Sequence, residues 1–88
     1  MIGREQVKMA RAALGWGVRD LAERAGVTAN TISRYENGAD ALGETLGKMQ
    51  RALEAAGVAF IAAGAYQGDG GPGVRLRKDA PQPGAGET

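Results

Sequence analysis

Apolar residues recur at three- and four-residue steps through the first two-thirds of the chain, and the step shortens to two near its end. Val7, Ala10, Ala13 and Leu14 form one such stripe and predict a helix over about residues 3–14. Val18, Leu21, Ala22 and Ala25 predict a second over 18–25. A third, over about 29–37, turns Ile32 and part of Tyr35 inward, with Thr28 as its N-cap. The fourth covers about 42–56, on a stripe of Leu42, Leu46, Met49, Leu53 and Ala56. Asp40 or Ala41 falls near its start, and a carboxylate suits the positive end of the helix dipole. Each stripe is followed by a glycine, Gly15, Gly26, Gly38 or Gly57, the residue that ends helices in the left-handed conformation at least cost.

After Gly57 the pattern changes. Residues 58–61 are short, β-branched and aromatic, and residues 74–77 alternate apolar and basic, so both read as strands. The glycine-rich stretch 63–73 joins them as a flexible loop, and the two make a hairpin. A lone two-stranded hairpin is marginal in water, so this one is expected to pack on the helices or pair with another chain. The last ten residues, 79–88, are rich in Pro, Gly and Ala and are expected to be disordered. The expected architecture is mostly α: four to five helices in 1–57, a small C-terminal β-hairpin in 58–78 and a tail in 79–88.

Composition narrows the chemistry. Eighty-eight residues make one domain with a modest core, and a chain of this size buries only a little over roughly 60% of its unfolded surface, so dimerisation is a common remedy. Cysteine is absent, which excludes disulfides and thiolate metal sites. Histidine is absent too, and with it the commonest general base and metal ligand. The carboxylates do not cluster. An enzyme is therefore not expected, nor a metal or other cofactor. The formal net charge is only +1, so any affinity for nucleic acid has to come from where the charges sit. No apolar run approaches the ~20 residues that span a bilayer, and the first six residues lack the apolar stretch of a signal peptide. The expected location is the cytoplasm, beside the nucleoid in a bacterium.

The densest information lies in residues 21–38. A short helix, a glycine turn and a second short helix with a polar outer face are the layout of a helix-turn-helix, which lays one helix into the major groove of DNA. Ala22 is small where the two helices cross, Gly26 makes the turn, Val27 covers it and Ile32 drops into the core. Taken alone, these residues fit an ordinary helical hairpin equally well.

The wider frame carries more. Arg11, Leu14, Gly15 and Trp16, then Asp20-Leu21-Ala22 with Ala25-Gly26-Val27, then Ile32-Ser33-Arg34-Tyr35-Glu36-Asn37-Gly38, together resemble the phage-repressor and Cro-like (XRE-type) helix-turn-helix family of transcriptional regulators. The resemblance covers roughly residues 4–57. The later runs 52–61 and 72–78 look like a bacterial subgroup of compact regulators. The resemblance implies a recognition helix over residues 28–37, with Thr28, Ala29, Asn30, Ser33 and Arg34 as base-contacting positions. Asparagine suits adenine and arginine suits guanine in bidentate contacts. It implies phosphate contacts at the start of the second helix, Val18 and Arg19, and at Thr31 and Asn37. Family members often carry glutamine where this chain has Val18, so fewer side chains read bases here, or DNA shape carries more of the specificity. It further implies an ion pair between Arg11 and Glu36 that holds the recognition helix in register. The expected partners are double-stranded DNA and a second copy of the chain, acting as a repressor on an inverted repeat.

Several features have plainer readings. Trp16 is expected to plug the core, and Glu23 and Arg24 to be solvated surface. Arg4, Lys8, Arg19 and Arg24 flank the motif, with Arg19 the best placed of them for phosphate. Arg75, Arg77 and Lys78 either meet phosphate or an acidic partner, or form a charged edge that discourages aggregation. Residues 68–73 match the spacing of a dinucleotide-binding glycine loop, but a proline interrupts them and a second strand follows, so a hairpin turn is the better reading. The rival to a DNA regulator is a protein-interaction module, such as an antitoxin or a polymerase adaptor.

Overall fold

The structure, a computed structural model, describes residues 2–64 and 69–78. Helices α1 (Arg4–Leu14), α2 (Val18–Ala25), α3 (Ala29–Glu36) and α4 (Gly43–Ala55) precede strands β1 (Val58–Ile61) and β2 (Gly73–Leu76). The expected four to five helices are thus four among the described residues, and the fold is mostly α with a small antiparallel strand pair.

Local chemistry explains the boundaries. Gly26 has φ +74°, a conformation costly for any residue with a Cβ, and from there the chain leaves α2 for α3. Thr28 caps α3: its Oγ1 accepts from the Thr31 amide at 3.2 Å. Two further helices begin at glycines, which have no side chain to offer. There the third helical residue reaches back instead: the Gly3 amide donates to Gln6 Oε1 at 2.9 Å and the Gly17 amide to Asp20 Oδ2 at 2.7 Å. That is half of a capping box, and it satisfies a donor the helix leaves orphaned.

Val7, Leu21, Ile32, Met49, Leu53 and Val58 are fully buried and form the centre of the core, one or more from every helix and one from β1. Helix α2 packs on α3 and α4, and α1 packs on α3. The strand pair closes the far side, with β2 against α1 and β1 against α4. Its register sets Val58 opposite Leu76 and Phe60 opposite Val74, and all four contribute to or pack on the core. Ala59 and Arg75 therefore occupy the opposite face, because side chains alternate along a strand. Buried Gln6 ties this sheet to α1. Its Nε2 donates to the Ile61 carbonyl at 3.3 Å and the Gly73 carbonyl at 3.1 Å, one on each strand.

Leu42 changes place, and some boundaries move by a residue. Leu42 is not in the buried stripe: it is 76% exposed. It is the N-cap of α4, with extended backbone (φ −64°, ψ 147°), so the helical step that would turn it inward has not begun. Ala56 is the C-cap of α4 and packs on the core as its place in the stripe predicts, and Asp40 lies near the start of the helix, before the N-cap. Helix α3 ends at Glu36, with Asn37 as C-cap. The second strand runs one residue earlier than expected, and Arg77 lies beyond it. Residues 65–68 of the loop and the 79–88 tail fall outside the described residues.

Candidate nucleic-acid interface

The helix-turn-helix is α2, the Gly26 turn and α3. Ala22 is buried at the crossing and Ile32 is fully buried beneath α3. The turn is closed by two amides on one carbonyl, Gly26 and Val27 both donating to Ala22, at 2.9 and 3.1 Å. Helix α3 buries Ile32, Tyr35 and Glu36, which fixes its opposite face outward. On that outer side Thr28, Asn30, Arg34 and Asn37 are exposed, while Ala29, Thr31 and Ser33 are half-buried. Thr28 and Thr31 share a hydroxyl–hydroxyl hydrogen bond of 2.8 Å at the start of the helix. Arg34 and Thr31 also line an open notch with Asp40, Ala41, Leu42 and Thr45, between α3 and the start of α4.

The inner end of α3 is anchored to α1. Arg11 Nε donates to Glu36 Oε2 at 2.7 Å and Arg11 Nη2 to Glu36 Oε1 at 2.6 Å, a bidentate charge-assisted pair. Glu36 is buried, its side chain 7% exposed against 20% for that of Arg11. The Arg11 pKa is raised above its ordinary value, first by the hydrogen bond to Glu36, with desolvation opposing and charge attraction adding. Arg11 Nη1 also donates to the Trp16 carbonyl at 3.1 Å, so one guanidinium joins α1, α3 and the α1–α2 turn.

Trp16 is packed against the core rather than enclosed in it, and the Arg24 guanidinium lies 4.9 Å from its ring centroid. Arg24 is thereby engaged with the ring, not merely solvated. Arg19 is exposed at the start of α2, one residue after half-buried Val18. Arg4 is drawn elsewhere: it donates to one carbonyl in the last turn of α3 and to one just past the helix, those of Tyr35 and Gly38. Arg77, expected as part of a basic edge, donates through Nη1 to the Glu54 carbonyl at 3.1 Å, near the end of α4. Arg75 and Lys78 are exposed.

Sequence reasoning missed Gln6, whose amide is buried among strand carbonyls contributed from 55 and 67 residues away. It also missed the link from the Tyr35 hydroxyl to the Ile2 carbonyl, 2.9 Å and buried. Among the described residues no group of His, Cys, Asp and Glu is placed to hold a metal ion, and no helix is long and apolar enough to cross a membrane.

Comparison with known proteins agrees with this frame. No curated protein matches the chain. The helix-turn-helix family model matches residues 7–56, from the second turn of α1 through the end of α4. That is more than half of the 88 residues, and the chain belongs to the helix-turn-helix family of phage-repressor and Cro-like DNA-binding regulators.

Proposed function

We propose that this chain is a sequence-specific regulator of transcription, a repressor that lays α3 into the major groove of duplex DNA and binds as a homodimer. The observation that carries the reading is the division of α3. Its inner residues are buried and one of them is ion-paired to α1, while Asn30 and Arg34 stand exposed on a helix only eight residues long. A short, rigidly held helix with a polar outer face is what groove reading requires.

In this reading Thr28, Ala29, Asn30, Ser33 and Arg34 meet base edges. Asn30 pairs with adenine and Arg34 with guanine. Arg19, Thr31, Asn37 and the backbone at Val18 meet phosphates and set the register. The half-buried Val18 carries no polar group, so the reading head is small and DNA shape supplies part of the specificity. Residues 1–57 form the DNA-binding part and the hairpin of 58–78 joins two copies. The dimer reads an inverted repeat with half-sites about 10–10.5 bp apart or a multiple of that. The protein works in the cytoplasm, on the nucleoid.

Selection of duplexes from a random pool tests this. The expected result is enrichment of a palindromic sequence, with a binding constant that falls steeply as salt rises. A pool that stays random after repeated rounds rules the reading out.

A further inference from the structure

Arg4 opens α1, and this is a poor place for a cation. The first turn of a helix is the positive end of its dipole, where acidic residues are favoured. Sequence position alone leaves Arg4 as one more basic residue beside the motif. Its surroundings give it a different task. Nε donates to the Tyr35 carbonyl at 3.1 Å and Nη2 to the Gly38 carbonyl at 3.3 Å. The guanidinium carbon lies 5.4 Å from the Tyr35 ring centroid. The Tyr35 hydroxyl in turn donates to the Ile2 carbonyl, two residues before Arg4.

The last four carbonyls of any helix lack partners inside it. In α3 those of Ser33, Arg34 and Tyr35 are partly served by the amides of Asn37, Gly38 and Ala39 in the following turn. Arg4 adds a charged donor to Tyr35 and extends the grip to Gly38, past the end of the helix. Its charge also lies at the negative end of the α3 dipole, which offsets the unfavourable position on α1. The two ends of the contact are 31 and 34 residues apart in sequence.

We infer that Arg4 is a positioning residue for DNA recognition: a guanidinium cap that holds the C-terminal end of the recognition helix, acting with the Arg11–Glu36 pair and not by touching DNA. The inference rests on the reading of α3 as the recognition helix. Arginine is required rather than any cation, because a fork of fixed donors spans two carbonyls and stacks on a ring, whereas an ammonium on a flexible stem does not.

Arg4→Lys and Arg4→Gln test it in the full chain, with two readouts. Without DNA, amide exchange at Gly38 and Ala39 is expected to quicken by about tenfold in both variants, with the amides of the middle of α1 unchanged. On the duplex enriched by the wild-type chain, affinity is expected to fall by about tenfold in both. The dependence of log affinity on log salt stays at the wild-type slope. Arg4→Lys keeps the charge and is the milder change, so it decides the matter should Arg4→Gln unfold. Two results overturn the inference. One is unchanged exchange at Gly38 and Ala39. The other is wild-type affinity in Arg4→Lys together with a salt slope reduced by about 0.9 in Arg4→Gln, the signature of a phosphate contact. If no duplex is enriched at all, the role of α3 in DNA binding fails, and exchange alone then decides whether Arg4 holds the helix.

Discussion

Among the described residues Glu36 is the buried charge, held by both arms of one guanidinium. Desolvating such a pair offsets much of its attraction, so its net contribution to stability is small, but removing one partner leaves the other stranded. Glu36→Gln is therefore expected to destabilise the fold by about 1–3 kcal/mol, below the fully buried range because Arg11 keeps some contact with water. Urea unfolding measures this, and an unchanged midpoint sinks the argument. The raised Arg11 pKa adds stability at every pH below its unfolded value and loses it only in strong alkali, so the guanidinium stays charged through the neutral range. The exposed residues behave differently. Asn30→Ala and Arg34→Ala leave the fold intact, since neither is buried, and each is expected to cost on the order of 1–3 kcal/mol on the enriched duplex. Loss of discrimination at one base position supports base reading, whereas equal weakening on enriched and random DNA shows phosphate contact only.

At the scale of elements, much of the fold was legible because each helix carries its own stop signal. The α2 boundaries and β1 were readable to the residue, since apolar stepping ends there on glycine or changes period. Leu42 was misread because spacing cannot show where helical backbone begins. It continues the four-three stripe on paper yet caps α4 in extended conformation, without a side-chain hydrogen bond. The long-range contacts of Gln6 and Arg4 were illegible for another reason: they are made to backbone carbonyls, which leave no mark in sequence and lie dozens of residues away. The exposed Leu42 makes a direct prediction. Leu42→Ser supplies the missing cap and removes an exposed apolar side chain, and it is expected to stabilise the protein by about 0.5–1 kcal/mol. Gly47→Ala, inside α4, is expected to add a similar amount through helix propensity. Its new Cβ meets only the Arg51 guanidinium, nearest at Nη1, 3.2 Å away, the far end of a side chain that can swing aside. Thermal melting of both variants checks the pair, and a lowered midpoint in Leu42→Ser shows that the leucine is held by contacts this single chain lacks.

The whole molecule raises the question of what the hairpin is for. A core of this size is modest, and a sheet of two strands leaves both outer edges without partners among the described residues. One face of that sheet is spent on the helices through Val58, Phe60, Val74 and Leu76. What remains for a second copy is the opposite face, where Ala59 stands across from Arg75, and the strand edges themselves. Cutting the chain at Gly57 is a poor test of that contact, because it removes the fully buried Val58 and both strand carbonyls that Gln6 holds. A lysine at position 59 is cleaner: it places a second cation opposite Arg75 and leaves the core side of the sheet untouched. The wild-type chain is expected to sediment as a dimer, with a melting point that rises with concentration. Ala59→Lys is expected to sediment as a monomer and to bind a full palindrome about a hundredfold more weakly, while binding a half-site as before, because only the linkage between two reading heads is lost. A variant that stays dimeric places the interface elsewhere, and a wild type that is monomeric at every concentration removes the dimer from the mechanism.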